Sequence, residues 1–369
     1  MTGRARANGE GSIYPYRNGY AAYAWVDTPT GRRQRKYVYG PTREVVHTKW
    51  FNLHREAARG RVATRIPTVK TYLTYWLEEV VRPNLAPATI ANYDMFCRLY
   101  IVPELGNRRL DKLSVRDVQT WLNRLRDCCQ CCSQGKDAAR AEPRCCAAGN
   151  CCEQYASPRT IRDAWTTLRS ALSHAVREEL VTRNVATLVR LPTARPKKHK
   201  GWTVEEARRF LESAHQDGDP PYAAFVLILV LGLRRGEVLG LAWADVDQAE
   251  LYIGWQVERV AGELLRRRTK TQASDAPLPL PDIALTALKE RREQQDRWRD
   301  QARGAWLTGP GLVTTTRHGG AVEPRNVNRS FKARCVKAGV PEIAVHTPGA
   351  PAHRSWSHCT STRASPCRS

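Results

Sequence analysis

Two arginines and a glutamate crowd the end of an apolar stretch in Leu231-Gly-Leu-Arg-Arg-Gly-Glu-Val-Leu-Gly-Leu-Ala-Trp-Ala-Asp-Val-Asp247. An arginine fixed at such a junction is costly unless its planar fork faces a carboxylate or a phosphate. Taken alone, Arg234 and Arg235 beside Glu237 read as a structural ion pair. Further along, Arg268-Thr-Lys-Thr-Gln-Ala-Ser-Asp-Ala-Pro-Leu-Pro-Leu280 sets Lys270 in a turn between strands, where by itself it is an ordinary surface charge. A histidine, His346, closes Val340-Pro-Glu-Ile-Ala-Val-His346.

Cysteine offers a second chemistry. Of 12 cysteines, eight (Cys128, Cys129, Cys131, Cys132, Cys145, Cys146, Cys151 and Cys152) crowd into one short segment. A secreted scaffold spreads its bridges along the chain, whereas clustered thiols in a reducing compartment are metal ligands or a redox element. Cys128 with Cys131, or Cys129 with Cys132, has the two-residue spacing of half a tetrahedral thiolate site, and Cys145, Cys146, Cys151 and Cys152 offer the other half. The doubled cysteines leave the pairing open, and free thiols or adventitious disulfides are the alternative. A structural zinc is therefore a candidate, with no other cofactor required.

The 369 residues hold 59 Lys and Arg against 36 Asp and Glu, a formal charge of +23, with 42% hydrophobic residues. That apolar content is enough to bury real cores, so the excess charge belongs on surfaces and points to a polyanion, above all nucleic acid. No apolar run approaches the roughly 18 residues of a membrane span. The longest is Phe225–Leu233, and the opening MTGRARANGEGS lacks an apolar signal core. A cytoplasmic protein with no membrane partner is expected.

The elements that must position these residues fall into three parts. Residues 1–65 carry 13 Lys and Arg against four Asp and Glu. Their apolar residues alternate in Tyr20–Val26 and Arg35–Tyr39, with a third strand at Ile13-Tyr14 and a helix capped by Thr42 that runs to Gly60. A basic three-stranded sheet on one helix suits a DNA groove. Residues 66–192 read as all-α, with helices at Val69–Val80 (broken by Pro83 and Pro87), Thr89–Leu99, Val115–Leu125 and Thr160–Glu179, and the cysteine-rich insertion 127–156 between the last two. The linker Pro192–Lys200 is rich in proline and basic residues. Beyond it Thr203 and Glu206 form a capping box, Tyr222–Gly232 is a buried helix, and Leu251–Val257, Glu263–Leu265 and Ala276–Leu280 are short strands. A long charged helix spans Ile283–Arg303. The fold class is mainly α with small β elements: a sheet plus helix, an all-α domain, and a mixed α/β domain over 193–346.

Gly-Leu-Arg-x-Gly-Glu, then Leu-x-Trp-x-Asp-Val-Asp, then Lys-Thr-x-x-Ser before a Pro-Leu-Pro strand, together resemble the tyrosine recombinase, or phage integrase, family. The resemblance covers nearly the whole chain. It implies an arm-site-binding domain at 1–65, a SAM-like core-binding domain at 66–192 and a recombinase catalytic domain from 193 onward. It implies that Arg234 holds the non-bridging oxygens of a scissile phosphate, that Lys270 is the general acid for the departing 5′-oxygen, that Glu237 helps fix the site, and that His346 opens the His-x-x-Arg box. In such enzymes a tyrosine forms a 3′-phosphotyrosine, without metal or nucleotide. Double-stranded DNA at attachment sites and a homo-oligomer on that DNA are the implied partners, and a mobile element the implied setting.

The chain departs from that pattern at its end. Gly349 stands where the second arginine belongs, no tyrosine follows Tyr252, and Trp356 and His358 lie outside any helical pattern. Residues 347–369 hold five Ser, three Pro, three Arg, two Cys and no Leu, Ile or Val, the composition of an off-frame, disordered tail after a one-base deletion. The expectation is a DNA-binding family member that is truncated and catalytically dead. The alternatives are a non-enzymatic DNA-binding regulator competing for attachment sites, and a cysteine-cluster metal or redox module with incidental charge.

Overall fold

Alternation on the first strands decides which face of the N-terminal sheet is buried. In the computed structural model, which describes residues 13–28, 31–60, 66–191, 201–269, 277–343 and 345, strands β1 (Tyr14–Tyr16), β2 (Gly19–Asp27) and β3 (Arg33–Gly40) form an antiparallel sheet in that order. Ala22, Ala24 and Val26 alternate to one side of β2, as a two-residue period requires. They pack on Val46, Trp50 and Leu53 of helix α1 (Arg43–Arg59). Thr42 caps this helix by accepting from the Val45 N–H at 3.3 Å, and Trp50 donates to the Tyr23 carbonyl at 3.0 Å.

The chain divides into two compact units, Met1–Arg195 and Pro196–Ser369. Besides the sheet, the first holds the helices α2 (Val69–Tyr75), α3 (Arg82–Asn84), α4 (Pro87–Phe96), α5 (Val102–Leu105), α6 (Val115–Asp127), α7 (Gln130–Ser133) and α8 (Pro158–Arg177). Tyr72, Trp76, Ile101, Trp121, Ile161 and Leu168 are buried together. Tyr72 and Tyr75 both donate to the Glu178 carboxylate, at 2.8 and 2.7 Å, and so tie α2 to the end of α8. Pro83 does not break the first helix as expected. A wide π turn over Trp76–Val81 carries the chain into α3, so the helical run passes Pro83 and ends at Asn84. Pro87 opens α4 in its first turn, where its missing N–H costs no bond.

The second unit comprises α9 (Val204–Gln216), α10 (Tyr222–Val230), α11 (Arg235–Gly240), the sheet β4 (Val246–Asp247), β5 (Glu250–Leu251) and β8 (Leu278–Pro279), the hairpin β6 (Trp255–Val260) with β7 (Glu263–Arg268), and the helices α12 (Asp282–Ala302) and α13 (Pro324–Lys337). Thr203 and Glu206 form the expected capping box. Its core stacks Trp202, Phe210, Phe225 and Phe331, with ring centroids 4.8 to 5.7 Å apart. Each such ring contributes about 1.5–3 kcal/mol on burial.

The single strand expected over Leu251–Val257 is in fact two. Leu251 pairs in one sheet and Trp255–Val257 in another, with Tyr252–Gly254 between them in neither; the Gly254 carbonyl accepts from the Thr269 N–H at 3.0 Å at the start of the β6–β7 hairpin. Helix α13 was not foreseen. Its buried stripe of Val327, Phe331 and Cys335 includes Arg334, only 2% exposed, which donates to Asp217, Asp219 and Ser213.

Candidate functional site

Arg234 is positioned by the end of one helix and the start of the next. Helix α10 stops at Val230, and Gly232, with φ of 70°, supplies the left-handed turn that L side chains resist. Leu233 plugs into the core, and Arg234 follows in extended conformation as the residue before α11. Its backbone N–H donates to Glu237 Oε2 at 2.8 Å and its Nη1 to Oε1 at 3.0 Å. The glutamate side chain is 8% exposed and the arginine's 77%. A buried carboxylate thus anchors the base of a guanidinium whose other N–H groups face solvent, a fork suited to phosphate oxygens. Arg235 is half-buried, and burial pushes its guanidinium down from the ordinary range.

Helix α11 lies against β6. A Cβ on Gly240 would come within 2.6 Å of the Gln256 Cα, so only glycine permits the approach. The partner strand β7 is arginine-rich: Arg266 donates to the Gly240 carbonyl at 3.0 Å and lies 4.3 Å from the Trp255 ring centroid, Arg267 pairs with Glu258, and Arg268 also faces Trp255. The strand runs on to Thr269, and Lys270 lies outside the described residues. Val345 packs on the core of this unit. His346, Gly349, Trp356, His358 and the whole of 347–369 lie outside the described residues, as does the linker 192–200. Of the expected site, the structure therefore brings together Arg234 and Glu237.

The sequence marked the N-terminal sheet as suited to a DNA groove, but not which of its faces is exposed or that aromatic rings line it. The face of the N-terminal sheet opposite α1 carries Tyr14, Tyr16, Tyr23, Trp25, Tyr37 and Tyr39 with Arg33 and Arg35, as the register Ala21↔Tyr39, Tyr23↔Tyr37 and Trp25↔Arg35 dictates. Trp25, Tyr37 and Tyr39 are exposed. Arg35 lies 4.9 Å from the Tyr23 ring and 4.8 Å from Trp25, and Arg33 lies 5.7 Å from Trp25. Aromatic rings hold the guanidinium planes in place on an exposed sheet face, the arrangement that favours stacking and hydrogen bonding to a flat or anionic ligand. The alternation in β2 and β3 carried the signal, but there the aromatics read as strand formers. Lys36, by contrast, points to the helix side, where burial pushes its ammonium down.

The comparisons with known proteins agree on one family. The phage integrase N-terminal SAM-like domain matches residues 68–126. A tyrosine recombinase XerC-like protein of Caldanaerobacter subterraneus subsp. tengcongensis is 26% identical over 337 residues, covering 86% of this chain and 79% of the relative. An integrase of Streptomyces ambofaciens is 26% identical over 326 residues, covering 84% and 75%. Among solved structures, the Tn1549 transposon integrase in complex with a circular intermediate DNA shares the fold at a TM-score of 0.56 and 18% identity, over 78% of this chain and 84% of that one.

Proposed function

We propose that this chain, which belongs to the tyrosine recombinase (phage integrase) family, binds double-stranded DNA at attachment sites, as a homo-oligomer on that DNA, in the cytoplasm. The observation that carries the reading is the Arg234–Glu237 pair: an exposed guanidinium pinned at its base by a buried carboxylate. Residues 1–65 are the arm-site module, with the tyrosine, tryptophan and arginine face of the sheet laid in the major groove. Residues 66–192 are the core-binding module, and residues from 193 onward the recombinase catalytic domain.

At the scissile phosphate, Arg234 donates two N–H groups to the non-bridging oxygens and offsets the charge that builds in the pentavalent transition state. Glu237 keeps the fork in register. Lys270 protonates the leaving 5′-oxygen, and His346 opens the His-x-x-Arg box. The nucleophile is the part this sequence does not supply. With Gly349 three places after His346 and no tyrosine after Tyr252, these 369 residues bind the site without forming a 3′-phosphotyrosine. The same feature favours a second role, a regulator that occupies attachment sites in competition with an active integrase.

Duplex binding across a salt series and a nicked trapping duplex test both parts. Affinity is expected to fall by about a decade or more over a few-fold rise in salt. Salt-independent binding overturns the DNA reading, and a covalent protein–DNA adduct overturns the absence of cleavage. Supplying a partner subunit with its own tyrosine separates the roles, since recombination in the mixture marks a catalytic-assembly member and inhibition marks a competitor.

A further inference from the structure

We infer that the cysteine-rich insertion is a two-zinc thiolate cluster in which Cys146 bridges the ions. The sequence offers too many cysteines to pair, and the geometry resolves them. Two groups of four sulfurs each lie within 4.8 Å of one another: Cys129, Cys132, Cys146 and Cys151 in one, and Cys131, Cys145, Cys146 and Cys152 in the other. Cys146 belongs to both, so seven thiolates complete two four-coordinate sites. Cys128 belongs to neither.

The spacing suits zinc rather than disulfides. A zinc–sulfur bond of about 2.3 Å in a tetrahedron sets neighbouring sulfurs about 3.8 Å apart. Within the first group Cys129–Cys146 and Cys132–Cys151 are each separated by 3.8 Å, and within the second Cys131–Cys145 by 3.8 Å and Cys146–Cys152 by 3.6 Å, while Cys129–Cys152, at 3.8 Å, runs between the two groups. A disulfide needs about 2.05 Å and one partner per sulfur, whereas Cys129 and Cys146 each have two sulfur neighbours at these distances.

The framework around the sulfurs is built without an apolar core. Across residues 127–156 the buried hydrophobic side chains are Cys129 and Cys131 themselves. Polar groups set the loops instead. The buried Asp137 carboxylate accepts from the Arg144, Cys145 and Ala147 N–H groups at 2.9, 2.9 and 3.0 Å, fixing the turn that presents Cys145 and Cys146. Buried Gln130 donates to the Leu125 and Cys128 carbonyls, and its N–H to the Gln154 carbonyl closes the two ends of the insertion. In so small a module metal ligation takes the place of hydrophobic burial. Each ion displaces thiol protons to solvent, with no redox change, and the cluster holds together the segment joining α6 to α8.

Full-length protein purified under reducing conditions and analysed by native mass spectrometry and elemental analysis tests this. Two zinc ions per chain are expected. One ion overturns the shared-ligand cluster, and none, or disulfides in their place, overturns the site. Cys146→Ser is expected to retain at most one ion and Cys128→Ser both; two ions in Cys146→Ser refute the bridge. Should Cys146→Ser fail to fold, cobalt titration of the chelated wild-type chain gives the same count from the tetrahedral thiolate absorption bands, which should saturate at two equivalents. Chelation should also open residues 127–156 to limited proteolysis while the flanking helices stay protected. Unchanged protection would show that the insertion does not depend on metal.

Discussion

Glu237 holds Arg234 twice, through the arginine's backbone N–H at 2.8 Å and its guanidinium at 3.0 Å, so one buried carboxylate both caps helix α11 and aims the cation in front of it. The two ends of this pair have separable effects. Arg234→Ala removes an exposed group and should change stability by less than about 1 kcal/mol. In a mixed assembly with an active integrase it should lower strand cleavage while duplex binding persists. Glu237→Ala removes the cap as well and should cost about 1–3 kcal/mol in urea unfolding. Equal destabilisation by the two substitutions would contradict this division.

The aromatic face of the N-terminal sheet makes a second prediction. Arg35 is exposed and lies over Tyr23 and Trp25. Arg35→Ala should leave the thermal midpoint nearly unchanged, weaken duplex binding by about 1–3 kcal/mol and, if the contact is to a phosphate, lower the salt slope by about 1. Trp50→Ala, on the buried side, should instead cost about 3–5 kcal/mol of stability. Loss of binding without loss of fold in Arg35→Ala, measured by fluorescence anisotropy and circular dichroism, distinguishes a reading face from a packing face.

Arg334 supplies a pH-dependent term. Its hydrogen bond holds the Asp217 carboxyl below its ordinary value. A carboxylate with a lower pKa folded than unfolded stabilises the fold fully above the unfolded value of about 3.9 and loses that contribution as pH falls through the folded value. Urea midpoints should therefore decline from about pH 5 toward about pH 3, and Asp217→Asn should show a shallower decline there. Asp219→Ala, which strips a 2.7 Å bond from the buried guanidinium, should cost about 1–3 kcal/mol at neutral pH.

How much of this was legible follows from which forces set each element. The alternation of β2, the Thr42 cap and the Thr203–Glu206 box are local signals, and the structure repeats them. The Arg234–Glu237 pair was legible for the same reason, since three residues of spacing bring the two side chains together at a helix start. Helix α13 was not, because its inward stripe contains Arg334, whose partners Asp217 and Asp219 lie far away in sequence. The split of the Leu251–Val257 run also depends on distant pairing, Leu251 with Leu278 and Trp255 with Arg268. In the insertion, the positions of the doubled cysteines were plain, but their grouping depends on Asp137 folding one loop over another.

Gly240 provides the last prediction, because it sets the distance between the helix that Arg234 precedes and strand β6. A Cβ there would lie 2.6 Å from both the Cα and the N of Gln256, and 2.7 Å from the Trp255 carbonyl carbon. These are backbone atoms of a paired strand and cannot swing aside as the end of a flexible side chain does. Gly240→Ala must therefore push α11 from β6, lengthening the Arg266 bond to the Gly240 carbonyl and tilting Arg234 away from its buried anchor. Overpacking of this kind costs about 1–3 kcal/mol. Gly254→Ala, one residue before the same strand, meets nothing within 4 Å and serves as the control. The expected outcome is a lowered urea midpoint in Gly240→Ala, with DNA binding by residues 1–192 retained and Gly254→Ala close to wild type. A Gly240→Ala protein as stable as wild type would mean that the helix and hairpin tolerate separation, and that the position of Arg234 does not depend on their contact.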